Sequence, residues 1–232
     1  MATTNLNLYS RNSAVAAAGT EIIAPAAMSG DLTDAGTTLR IKAGGNAADT
    51  AAGAGCREIT ITGLDSTGLV ISAALATAGA SASAATTASF FRINSIDITA
   101  MGTALSTMST TDMVIELGTG GGDIATMNRS RWGGFKYTVP LGHKAVIKKI
   151  KMSSNKAAFD MIVTRYKNSI NGGAAPFGQA EVVRNYYTTG DSIVVDAEMI
   201  LDPLEMFWIK AINFNAAEAI MTVEIEGTVF ET

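Results

Sequence analysis

The chain has 232 residues, of which 47% are apolar but only 6% aromatic and 16% charged, with a formal net charge of −4. So high an apolar share excludes a disordered acidic tail, and so few Lys and Arg exclude a nucleic-acid binder driven by phosphate contacts. One Cys and one His exclude a zinc site built from four nitrogen and sulfur ligands of a single chain.

Residues 1–36 read as an extended N-terminal arm. They contain Ala16-Ala17-Ala18-Gly19, Pro25 and Gly30-Asp31 and show no sustained period. Such an arm orders only against what it lies on, so its removal is expected to leave a folded chain that fails to assemble. The N-terminus lacks a charged segment followed by an apolar one, so no secretory signal is expected. The longest weakly apolar stretch, Ser72 to Phe91, is mostly Ala, Ser, Thr and Gly and is too polar for a transmembrane helix.

Strand signals begin with Thr38 to Lys42 and continue with Glu58-Ile59-Thr60-Ile61-Thr62. Gly63 to Gly68 is turn chemistry, and Leu69-Val70-Ile71-Ser72 completes a hairpin. Ala88 to Thr99 supplies a bent strand. Met113–Leu117 and Asp123–Met127 flank a Gly-rich turn. Composition then changes near residue 131: every Lys except Lys42, and every aromatic except Tyr9, Phe90 and Phe91, lies beyond it. The expected organisation is therefore an arm at 1–36, an Ala/Gly/Thr-rich β domain at 37–130 and a second β domain at 131–232, with a junction around Gly118 to Ser130.

In the last segment the expected strands are Gly134–Val139, Lys144–Met152, Phe159–Lys167, Ala180–Tyr187, Ser192–Met199, Met206–Asn213 and Ile220–Phe230. In the last of these, Met221, Val223 and Ile225 alternate with Thr222, Glu224 and Glu226, the pattern of a half-buried antiparallel strand. Asn215 to Ile220 is expected to make one helical turn. The fold class is all-β: two antiparallel β-sandwich or jelly-roll-like domains.

Candidate chemistry is sparse. Cys56 beside Arg57 reads as a small half-buried thiol at the start of a strand. The run Gly118-Thr119-Gly120-Gly121-Gly122-Asp123 follows a strand like a phosphate cradle, but Asp123 stands where a P-loop needs Lys and Ser or Thr. His143 falls in a turn with no Gly-x-Ser-x-Gly elbow in the chain. Asp31 and Asp34 lack the ligand pattern of a calcium loop, and no spacing singles out a carboxylate pair. Lys148, Lys149 and Lys151 lie on one strand, with Lys149 and Lys151 expected on one face and Lys148 on the other. Tyr186 and Tyr187 beside Arg184, and Trp132, are candidates for an exposed aromatic site. No catalytic, cofactor or metal site is expected, and the chain is read as a non-enzyme.

Three segments carry a resemblance. Ala54-Gly55-Cys56-Arg57-Glu58-Ile59-Thr60-Ile61-Thr62-Gly63-Leu64-Asp65, with Phe90-Phe91-Arg92-Ile93-Asn94, is one. Tyr137-Thr138-Val139-Pro140-Leu141-Gly142-His143-Lys144-Ala145-Val146-Ile147 and Met206-Phe207-Trp208-Ile209-Lys210-Ala211 are the others. Over residues 37–230 the chain resembles virion structural proteins of tailed phages, the strand-rich capsid-decoration and tail-adaptor type of marine and cyanobacterial phages. It departs from them at His143, where Lys is expected, and in the Ala-heavy arm. The resemblance implies a building block of a virion, made in the host cytoplasm and assembled as a homo-oligomer, with a trimer favoured. Its partners would be copies of itself and the major capsid protein, or tail and neck proteins, with no nucleic acid and no membrane. A carbohydrate-binding module for host attachment is the rival reading.

Overall fold

A computed structural model describes residues 2–17, 20–22, 35–103, 113–127, 137–166 and 180–232. Among them every regular element is a strand and none is a helix, so the all-β class holds. The strands are β1 (Thr3–Val15), β2 (Thr20–Ile22), β3 (Leu39–Ile41), β4 (Cys56–Leu64), β5 (Val70–Ala76), β6 (Arg92–Met101), β7 (Met113–Leu117) and β8 (Asp123–Met127). Then follow β9 (Tyr137–Thr138), β10 (His143–Ser154), β11 (Phe159–Tyr166), β12 (Ala180–Thr188), β13 (Ser192–Leu201), β14 (Met206–Asn213) and β15 (Ala219–Glu231). They belong to two compact units, one joining Met1–Ala24 to Gly133–Thr232 and the other formed by Pro25–Trp132.

In the first unit an antiparallel sheet has the order β1-β15-β10-β13. A second antiparallel sheet has the order β12-β11-β14-β2, with β9 also paired to β14. The two sheets share one core. Ile150, Met152, Val223 and Ile225 come from the first, and Phe159, Met161, Val163, Phe207 and Ile209 from the second. Each such side chain, fully buried, stabilises the unit by about 1.5–3 kcal/mol. The alternation along β15 is as expected: Met221, Val223 and Ile225 are buried, while Glu224 and Glu226 are exposed.

The arm expectation needs correction for residues 2–17 and 20–22. β1 runs antiparallel to β15, from Thr3 opposite Phe230 to Val15 opposite Ala219. Leu6 and Val15 are buried in the core of the first unit. β2 pairs with β14 through Glu21 opposite Ala211. The absence of a period has a physical cause. The register shifts between Asn12 and Val15, so Leu6 and Val15 reach one core from positions of opposite parity. Asn213, fully buried, pins the end of this strand: its Nδ2 donates to the carbonyls of Val15 and Ala16, both at 3.2 Å, and of Ala217 at 3.0 Å. Its Oδ1 accepts the Asn215 amide at 3.0 Å, and this turn chemistry forms bends where a helical turn was expected.

The second unit has two three-stranded antiparallel sheets, β3-β7-β8 and β5-β4-β6. They share a core that includes Leu39, Ile59, Ile61, Phe90, Ile96 and Ile115. The Ala/Ser/Thr-rich segment around residues 83–86 lies along β3. Ser83 and Thr86 donate their backbone amides to the Ile41 and Leu39 carbonyls, at 3.0 and 2.8 Å. Their hydroxyls accept the Ile41 and Leu39 amides at 2.9 and 3.0 Å. Hydroxyl side chains here take the place of a neighbouring strand, which covers a sheet edge. Gly63 permits a second close approach: a Cβ there would collide with the Arg92 carbonyl oxygen. Residues 118–127, expected at an interdomain junction, instead close and form part of the β7–β8 hairpin inside this unit.

The β4–β5 turn is organised by Asp65. Its Oδ1 accepts the Thr67 hydroxyl at 2.6 Å and the Thr67 and Leu69 amides at 2.8 and 3.1 Å. Gly68 sits at φ +84°, which glycine adopts freely. The Thr67 hydroxyl first, then the backbone amides, hold the Asp65 carboxyl below its ordinary value. A depressed acid contributes stability that is present above its unfolded pKa and lost as pH falls through the folded one. The expected NMR titration midpoint of Asp65 therefore lies below about 3.9, the unperturbed value. A midpoint at or above that value means the carboxylate does not hold the turn.

Candidate functional site

Cys56, the cations beside the Gly-rich turn and His143 have structural partners. Cys56 is 2% exposed, its thiol donates to the Glu58 carbonyl at 3.7 Å, and its amide donates to Asp49 Oδ1 at 2.8 Å. Burial first, and the Asp49 carboxylate second, push the thiol up to about 11, so little reactive thiolate forms near neutrality. In the Gly-rich run, Gly120, Gly121 and Gly122 have φ of +87°, +86° and +54°, as a tight hairpin turn requires. Lys42 Nζ meets Asp123 Oδ1 at 2.7 Å, and Arg40 Nε meets Glu116 Oε1 at 2.7 Å. The hydrogen bond to Asp123 raises the Lys42 ammonium above its ordinary value. The cations beside this turn are thus engaged by carboxylates and not aimed at a phosphate. His143 opens β10, with Nδ1 at 3.1 Å from the Leu141 carbonyl. Asp31, Asp34 and Trp132 lie outside the described residues. Among the described residues no group of three or more His, Cys, Asp or Glu is placed to hold a metal ion.

The lysine strand also needs correction. The register of β10 shifts between Ile147 and Lys149 against both β13 and β15. The bulge lets Ile147 and Ile150 both point inward, while Lys148 and Lys151 are exposed and Lys149 is half-buried. All three lysines consequently face outward. Lys149 sits between Asp196 and Glu226, and Lys151 Nζ reaches Glu224 Oε2 at 3.3 Å. Opposite charges across the strands make this a compensated face and not a basic patch.

Among the described residues, three surfaces stand out as open. The outer face of β5-β4-β6 carries Ser72, Ala74 and Ala76, all accessible, beside a hydroxyl relay in which Thr60 donates to Thr99 at 3.2 Å and Thr99 to Glu58 Oε1 at 2.8 Å. Two strands at sheet ends carry exposed apolar side chains, Val194 and Ile200 on β13 and Val182 on β12.

The third surface is aromatic. Sequence reasoning pointed to Tyr186 and Tyr187 together, but the pleat separates them. Tyr186 packs partly buried against the core, its hydroxyl accepting Arg184 at 3.2 Å. Tyr187 points outward, 61% exposed, and meets Phe214, 51% exposed, edge to face at 5.9 Å. Phe214 was not foreseen. It is distant in sequence and follows β14 in the bend held by Asn213 and Asn215, where nothing local marks it. Asp160 lies directly across from Tyr187, and Asn185 and Lys210 flank Ile162 in the adjoining cross-strand row. Asp160 Oδ1 is shielded from solvent and accepts no hydrogen bond from the described residues.

No protein family, curated protein or solved structure matches the chain.

Proposed function

We propose that the chain is a non-enzymatic structural component of a tailed-phage virion, a capsid decoration protein acting as a homo-oligomer, with the trimer favoured. The observation that carries this reading is the wiring of the first unit. In chain order β1, β10, β13 and β15 fall in one sheet, and β2 with β9, β11, β12 and β14 in the other. The orders β1-β15-β10-β13 and β12-β11-β14-β2 are those of two interleaved Greek keys. We read that wiring as a jelly roll, an architecture used by viral capsid proteins and lectins. This is an argument by analogy of fold, and the surfaces add to it. Exposed apolar residues on the end strands β12 and β13, and the small-residue face of β5-β4-β6, suit burial against identical neighbours and capsid subunits.

The test is the native mass of the purified chain by light scattering. A mass near three times 24.0 kDa is expected. A larger ring would move the protein to the tail or neck, and a monomer at high concentration would overturn the oligomer.

A further inference from the structure

The open aromatic face of the second sheet has the composition of a ligand site. Tyr187 and Phe214 stand 5.9 Å apart with their ring planes at 69°, both more exposed than buried. Exposed aromatics that touch each other form an apolar platform, which water solvates poorly. Beside the platform, Asp160 presents a carboxylate oxygen with no donor among the described residues. An acceptor withdrawn from water and left unpaired is destabilising, so a ligand that brings a donor to it gains more than an ordinary hydrogen bond. One row away, Asn185 offers an amide that both donates and accepts, and Lys210 offers a donor. A ligand satisfying all of these needs a flat apolar face and, on its rim, several hydroxyl groups that donate and accept.

We propose that this face binds a sugar, with the C–H face of one pyranose ring seated in the angle between the Tyr187 and Phe214 rings and neighbouring ring hydroxyls reaching Asp160 and Asn185. A plain hydrocarbon would leave the Asp160 oxygen without a donor. An organic cation would suit two aromatics and a carboxylate. It would, however, approach Lys210, whose ammonium lies 5.9 Å from the Trp208 ring on the same sheet. Protein contact through the same face is the third alternative, and it predicts a change of assembly when the platform is removed. The sugar site shares the end strand β12 with the oligomer proposal, which uses Val182 there, so the native mass of Tyr187→Ala is what separates the two.

The test is saturation-transfer NMR on the full chain with methyl β-D-galactopyranoside, methyl α-D-mannopyranoside and N-acetyl-D-glucosamine, with choline chloride as a counter-probe. Transfer to the ring C–H protons of at least one sugar is expected. Tyr187→Ala should weaken that sugar's binding about tenfold, the loss of one aromatic contact and its stacking. Tyr187→Phe should retain binding, and Asp160→Asn should weaken it without altering the native mass or the melting temperature. No transfer to any of the three sugars, transfer to choline alone, or binding unaltered in both Tyr187→Ala and Asp160→Asn would overturn the proposal. So would a changed native mass in Tyr187→Ala, which would make the face a subunit contact.

Discussion

Val223→Asp is expected to unfold the first unit. Val223 is fully buried at the centre of β15, paired with Met152 on β10 and with Ser10 on β1, and belongs to the core shared by both sheets. The described core around that position is apolar, and burying a carboxylate unpaired there destabilises by about 4 kcal/mol or more. That is a large share of the roughly 5–15 kcal/mol that holds a domain folded. Val223→Ala, which only leaves a small cavity, should lower stability by about 2 kcal/mol. Calorimetry of both variants checks this, with the transition of the first unit read separately because two units need not melt together. If the aspartate variant melts like the parent, β15 does not carry its apolar side inward.

Removing residues 2–17 is expected to have an effect of similar size, opposite to that of deleting a free arm. Deletion takes away Leu6 and Val15 from the core, uncovers the backbone edge of β15 along its whole pairing with β1, and leaves Asn213 without two of its acceptors. The lost burial and exposed edge together should destabilise the unit by about 5 kcal/mol, and the bare edge should promote aggregation. Light scattering and thermal unfolding of the truncated chain test this. A synthetic peptide of residues 2–17 should restore the melting temperature by adding itself as a strand. A truncated chain that stays soluble and melts like the parent would show that β1 contributes nothing to the fold.

The two experiments bear on function through the same strands. β15 lies between β1 and β10, and its outward residues Glu226 and Glu224 lie opposite Lys149 and Lys151 of β10. Tyr187, Phe214, Val194 and Ile200 are the exposed apolar residues to which the two proposals assign partners.

Strand positions were legible in the sequence because a half-buried strand writes its period into consecutive residues. Met113–Leu117, Asp123–Met127 and Met206–Asn213 appear in the structure with the bounds read from pattern alone. Turn chemistry was equally local at Asp65 to Gly68, where Asp65, Thr67 and Gly68 act within a few residues, while Gly63 and Leu64 belong to β4. Bulges erased that period. The one beside Lys148 moved a lysine to the other face, and the one after Asn12 hid β1 inside an apparent arm. The aromatic site was half visible: Tyr187 was a candidate, while Phe214 and Asp160 joined it only through pairing across β11, β12 and β14.

The amino-acid sequence by itself thus determined the all-β class and most strand positions, because burial on one side of a pleat is a local pattern. The tertiary structure alone decided that Thr3–Val15 pairs with Ala219–Glu231, that β2 and β9 share one side of β14, and that Tyr187 meets Phe214. Backbone edges carry no residue-specific label, so a strand's partner is chosen by which edge lies open when the core closes, and that choice depends on the whole chain.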